Sequence, residues 1–98
     1  MMGHPYWLYN MANKQNGTLY VGTTKNLIER VAAHKEDRGS AFVKKHQLKR
    51  LVFHREYSDY MQVRAEEVRI KKWRRVWKLE LIEAINPDWQ DLYIDLKK

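Results

Sequence analysis

The stretch Thr18–Lys35, TLYVGTTKNLIERVAAHK, decides how the chain is read. Thr18, Leu19, Tyr20 and Val21 are β-branched, apolar or aromatic, the residue types that fit a strand, and Gly22 closes the run. Asn26 followed three residues later by Glu29 fits a capping box, so a helix begins there. Leu27, Val31 and Ile28 give that helix its apolar stripe. The polar run Lys35–Ser40, with Gly39 inside it, ends it. Arg30 and His34 lie four apart and therefore project from one helical face. Two groups of this kind do not attract each other, so the placement asks for a reason.

Upstream, Tyr6–Met11 is a second aromatic and apolar run, and Asn13–Gly17 between them ends in Asn-Gly, a strong turn signal. The two runs form an antiparallel hairpin. Alternation puts Trp7, Tyr9 and Met11 on one face of the first strand and Tyr6 and Leu8 on the other; on the second strand Thr18, Tyr20 and Gly22 share a face. Downstream, Ala41–Gln47 fits a short helix or a loop. Leu51–Tyr57 is a third strand with Leu51, Phe53 and Tyr57 on one face. Asp59 with Gln62 repeats the capping-box spacing and starts a long helix from Tyr60 into the mid-seventies, in the register Val63, Ile70, Trp73, Trp77. Trp77–Ile85 continues it, straight on or after a bend, and Asn86-Pro87 stops it, because a residue before proline avoids the helical region. Trp89 and Leu92 are expected to fold back on the body. The order β-β-α-β-α-α defines an α+β domain, one unit over residues 1–98, with a three-stranded, mainly antiparallel sheet flanked by helices.

Composition narrows the function classes. The 98 residues contain no cysteine, which excludes disulfides and thiolate-held zinc and suits a reducing cytoplasm. No run of about 18 apolar residues is present, so no membrane-spanning helix is expected. Met1–Pro5 lacks a charged segment followed by an apolar one, so no secretory signal is expected either. The net charge is +7 and the pI about 9.7, a balance that favours a polyanionic partner, nucleic acid first. The charge is clustered. Lys44, Lys45, Lys49, Arg50 and Arg55 lie in Val43–Arg55, and Arg69, Lys71, Lys72, Arg74, Arg75 and Lys78 in Val68–Lys78, with no acid in either run. Lys44, Lys45, Lys71, Lys72 and Arg74 are the candidate phosphate contacts.

The residues able to do chemistry are few. Tyr9 and Tyr20 fall near each other across the hairpin, although a stacked aromatic pair in a sheet is common. Arg30 and His34 read equally as a solvated helix face. Glu66 and Glu67 both fall within or beside the stripe set by Val63, Ile70 and Trp77, where a carboxylate is costly unless paired or metal-bound; periodicity does not choose between them. Together a tyrosine pair, an arginine, a histidine and a glutamate contain the parts of a phosphodiester-cleaving site: a carboxylate for a hydrated divalent cation, a cation for phosphate charge and a proton acceptor.

The order of short motifs resembles the GIY-YIG nuclease superfamily. WLY at Trp7–Tyr9 and YVG at Tyr20–Gly22 are similar to its paired motif. TTKNLIERVAAHK matches the helix that follows, with Arg30 and His34 at the family's arginine and histidine positions. KKWRR and ELIEAINPDWQDLY resemble the small standalone bacterial proteins of this type, and the likeness spans about Tyr6–Tyr93. It implies an α/β sandwich and a site using one divalent metal, Mg²⁺ or Mn²⁺. It further implies Tyr9 and Tyr20 as the motif tyrosines that orient or deprotonate water, Arg30 as stabiliser of phosphorane charge and His34 beside the scissile phosphate. Glu67, a few residues before a Lys-x-Trp, becomes the metal ligand, with Gly22 and Asn86 in support. The implied activity is a DNA endonuclease, structure- or damage-related. Trp-Leu-Tyr lacks the glycine of the first motif, Thr23 stands where some repair-type members carry lysine, and no attached targeting domain is read in the sequence. A nucleic-acid-binding module with little cleavage of its own is therefore the alternative, and an unidentified acidic protein partner a third reading.

Overall fold

The computed structural model describes residues 5–97; Met1–His4, read above for a secretory signal, lie outside them. Three strands, β1 (Tyr6–Ala12), β2 (Leu19–Thr24) and β3 (Arg50–Tyr57), form one antiparallel sheet in the order β2-β1-β3. Helices α1 (Leu27–Lys35) and α2 (Ala41–His46) lie between β2 and β3, and α3 (Tyr60–Lys71), α4 (Arg75–Ile85) and the single turn α5 (Tyr93–Leu96) follow. The three-stranded sheet with flanking helices is the expected α+β architecture. Among the described residues no helix is long and apolar enough to cross a membrane.

The hairpin turns where Asn-Gly predicts. Asn16 takes the left-handed conformation, φ 57°, which asparagine tolerates better than most residues. Asn13 Oδ1 accepts from the Thr18 amide at 3.0 Å. At α1, Asn26 Oδ1 accepts from the Glu29 amide at 3.1 Å. The return half of the box is altered: Glu29 Oε2 accepts from the Asn26 side-chain amide at 3.3 Å, while the Asn26 backbone N–H goes to Thr24 Oγ1 at 3.1 Å. The segment left open between helix and loop is helix α2, capped by Ser40 and closed by Gln47 at φ 56°.

Two cores lie on opposite faces of the sheet. Leu8, Ala12, Val21, Val52, Phe53, Val63, Ile70, Ile82 and Trp89 pack on one face, which α3, α4 and the tail cover. Tyr9, Met11, Leu27, Val31, Val43, Leu48 and Leu51 pack on the other, under α1, α2 and α5. The expectation that Leu51, Phe53 and Tyr57 share a face fails. Asn10 pairs with Phe53 but Met11 pairs with Leu51, so Val52 is an extra residue in a β-bulge. One inserted residue flips the alternation beyond it, and Leu51 joins the Tyr9 face.

The long-helix expectation also needs correction. Val63 and Ile70 are buried in register and Trp73 packs against the same core, but α3 ends at Lys71. Trp77 lies on α4, 44% exposed. An unbroken helix would stack Lys71 on Arg74 and Arg75, like charges at three- and four-residue spacing, which is unfavourable. The break instead sends Arg75 to the hairpin loop, where its Nη2 donates to the carbonyls of Asn16 and Gly17, 2.6 Å each.

Candidate active site

Tyr9 stands at the middle of β1, in the central strand, and is fully buried. Its partner across β1–β2 is Gly22. A Cβ on Gly22 would lie 2.7 Å from the Tyr9 oxygen and 2.9 Å from the Tyr20 ring, so only glycine lets both phenols occupy this face. The Tyr20 and Tyr9 rings are 6.3 Å apart. From α1, the buried His34 brings Nε2 to 2.8 Å from the Tyr9 hydroxyl, and its ring meets Tyr20 edge-on at 5.5 Å. Gly39, just past α1, closes the other side of His34: a Cβ there would lie 2.5 Å from Nδ1. Among the described residues His34 Nδ1 has no protein hydrogen-bond partner.

Arg30 and His34 share the α1 face but not its depth. Arg30 is exposed and His34 is buried, because His34 is one turn nearer the closing loop and Gly39. Arg30 reaches solvent, whereas the His34 ring is turned onto the Tyr9 hydroxyl. Arg30 makes no ion pair among the described residues. Its positive charge is felt at the Tyr9 hydroxyl, where it favours the ionised phenol.

Electrostatics sets the protonation states. Burial, followed by the charge of Arg30, holds the His34 imidazole down to about pKa 4, so it is neutral at pH 7. Burial, then the neighbouring Tyr20, pushes the Tyr9 phenol well above its ordinary range; Glu67 adds to this, and Arg30 opposes it without prevailing. Desolvation of a fully buried phenol outweighs one exposed cation.

Glu67 lies between Val63 and Ile70 on the buried side of α3, and its charge is felt at Tyr9. Glu66, half-buried, pairs with Arg69 at 2.5 Å. Burial raises the Glu67 pKa, but hydrogen bonds and charge from Lys71 and Arg64 outweigh it and the net shift is downward, keeping the carboxylate ionised. Arg64 meets Oε1 at 2.6 Å and Lys71 meets Oε2 at 2.8 Å. No cluster of three or more potential metal ligands occurs among the described residues, so Glu67 would serve a cation as its single carboxylate. That suits Mg²⁺, which keeps most of its water. Arg64 and Lys71 are half exposed but Glu67 is buried, so a cation admitted in their place would have to satisfy the carboxylate charge that they now satisfy.

The basic runs divide. Lys44 and Lys45 are exposed on α2, and Lys71 and Lys72 are exposed around the end of α3. Arg74 stacks over Trp77 at 4.9 Å. Three others are engaged by the fold: Lys49 donates to the Lys35 carbonyl at 2.9 Å, Arg50 to the Trp89 carbonyl at 3.2 Å, and Arg75 to the hairpin loop. Asn86 is buried. Its amide donates to the carbonyls of Val52 and Gln90, and its oxygen accepts from the Gln90 amide. The sequence reading missed Gly39, taken there only as a helix terminator, and Phe42, whose ring lies 6.3 Å from Tyr20. An apolar residue at a helix start gave no warning of either role.

A three-stranded antiparallel sheet presenting a phenol, a neutral imidazole and an arginine beside a buried carboxylate defines the class. Residues 5–88 match the GIY-YIG catalytic domain, and the chain belongs to the GIY-YIG family of nucleases, which act on nucleic acid and generally use divalent metal ions. Within it, the chain is 31% identical over 78 residues to a UPF0213 protein of Staphylococcus haemolyticus, covering 80% of this chain and 94% of that one. It is 32% identical over 80 residues to a UPF0213 protein of Autographa californica nuclear polyhedrosis virus, covering 80% and 77%. The solution structure of a UPF0213 protein from Bacillus halodurans shares the fold, with a TM-score of 0.56 at 18% identity over 89% of this chain and 92% of that one.

Proposed function

We propose that this chain is a metal-dependent endonuclease hydrolysing phosphodiester bonds in DNA, acting on structured or damaged substrates in a reducing, cytoplasmic setting. The observation that carries it is the convergence on the Tyr9 hydroxyl: His34 Nε2 at 2.8 Å, the Tyr20 ring 6.3 Å from the Tyr9 ring, and Arg30 and Glu67 close enough for their charges to be felt there. Arg30, exposed and without an ion pair among the described residues, offers a planar fork to non-bridging phosphate oxygens and stays charged through the reaction. Tyr9 positions the attacking water. As that water adds to phosphorus, its proton passes to the Tyr9 oxygen while the Tyr9 proton passes to His34 Nε2, which is neutral and able to receive it. The bond to the 3′ or 5′ oxygen then breaks, the leaving oxygen keeping the electron pair and taking a proton from solvent. Mg²⁺ or Mn²⁺ held by Glu67 would supply positive charge to the phosphate and leaving oxygens. Lys44, Lys45, Lys71 and Lys72 supply sequence-independent grip on the backbone, and Arg74 extends it.

The test is incubation of the pure protein with single-stranded, duplex and branched DNA and with RNA, in Mg²⁺, Mn²⁺ or chelator, beside Glu67→Ala. Metal-dependent cleavage that disappears in the variant is expected. One observation favours the alternative, a binding module with little cleavage of its own: both Glu67 carboxylate oxygens are bonded to cations of the chain. Equal binding by both proteins in chelator, with no cleavage in any metal, would select that reading.

A further inference from the structure

Phe42 is the second residue of α2 and is 44% exposed, while its neighbour Val43 is fully buried and anchors the helix. With Val43 turned inward, Phe42 and His46, one helical turn apart, share an outward face. Their rings are 4.5 Å apart, and on its other side Phe42 lies 6.3 Å from Tyr20 at an interplanar angle of 31°. The three rings make a row that leads from Tyr20 in the candidate active site onto α2. A groove of about 360 Å³ runs beside them, lined by Leu19, Tyr20, Val21, Phe42, Lys71 and Lys78. Its charged residues are both cations, and Lys44 and Lys45 stand exposed on α2 beside Phe42.

We propose that this row is a stacking platform for an unpaired base next to the scissile phosphate, so that the preferred substrate is single-stranded nucleic acid or a strand with a base displaced from its stack. The inference rests on the cleavage site proposed above and adds its substrate class. A row of rings flanked by cations matches a ligand that alternates π faces with phosphates. In a duplex both faces of each base are covered by neighbours, so a base meets Phe42 only once unstacked. Tyr20 belongs to both the platform and the candidate site, and a base on Phe42 therefore presents its flanking phosphate towards Tyr9 and Arg30.

The test is binding in chelator, which separates it from cleavage. Fluorescence anisotropy is read on an oligothymidine of about 12 nucleotides and on a duplex of the same length, with wild type, Phe42→Ala and Phe42→Trp. Phe42→Ala is expected to weaken single-strand binding about tenfold and duplex binding less than about twofold, as loss of one stacked ring predicts. Phe42→Trp is expected to restore it. An equal loss on both ligands, no loss on the single strand, or no single-strand binding by wild type overturns the platform; the last would turn the row into a protein-docking face. Selective loss in Phe42→Ala alongside a wild type that never cleaves would leave the platform standing and overturn the catalytic reading instead.

Discussion

Two buried polar side chains, Asn86 and His34, sit at opposite ends of the chemistry. Asn86 stops α4 and ties the tail to β3: every bond of its side chain goes to backbone, to the Val52 carbonyl, the Gln90 carbonyl and the Gln90 amide. His34 makes one side-chain bond, to another side chain, the Tyr9 hydroxyl, and leaves Nδ1 without a partner among the described residues. A polar group retained to fold the chain is satisfied by main chain. One retained for reaction is held by a group that can exchange a proton, at some cost in stability. The sequence resemblance places both residues in one site. The structure ties one to main chain and sets the other against a phenol.

The largest expected effect lies on the reactive side. Arg30→Ala should lower the cleavage rate by about two to three orders of magnitude while leaving the unfolding midpoint nearly unchanged, because an exposed charge stabiliser is lost without disturbing packing. Single-turnover kinetics beside a denaturant melt would show both, and full-speed cleavage would remove Arg30 from the site.

The paired substitution comes next. His34→Gln should reduce cleavage by about a hundredfold or more and shift stability by no more than about 1 kcal/mol. Asn86→Ala should do the reverse: about 2–4 kcal/mol of stability lost, since it strands buried carbonyl and amide groups, with the rate per folded molecule preserved. If both variants lose stability alike and keep their rates, the contrast is wrong.

A smaller effect follows from the neutral imidazole. His34 has a folded pKa of about 4, below the unfolded value of about 6.5. Between those values the unfolded chain takes up a proton that the folded chain refuses, so stability falls as pH drops from about 6.5 towards 4. The loss is up to about 3 kcal/mol and should be absent in His34→Gln. Denaturant melts of both proteins at pH 7 and 5 decide it.

Much of the fold was legible because its signals are local. Alternation marks β1 and β2, Asn16-Gly17 the turn, Asn26 the start of α1, and Asn86-Pro87 the end of α4. What escaped depends on partners distant in sequence. The bulge at Val52 is a property of pairing with β1, not of the β3 sequence. The break after Lys71 carries no glycine or proline and appears only where Arg75 finds the hairpin carbonyls. In the site, parity brings Tyr9, Tyr20 and Gly22 to one face before any coordinates. The depth difference between Arg30 and His34 arises from the loop at Gly39, and the dominance of burial over Arg30 at Tyr9 from the whole sandwich; neither is written in a spacing.

The central claim is that the Tyr9 hydroxyl does chemistry and not only packing, and Tyr9→Phe removes that single oxygen. Metal-dependent cleavage of DNA by wild type and this variant, read beside their binding in chelator, tests it most directly. The account predicts unchanged binding and loss of cleavage in Tyr9→Phe. Cleavage by the variant at the wild-type rate would contradict it.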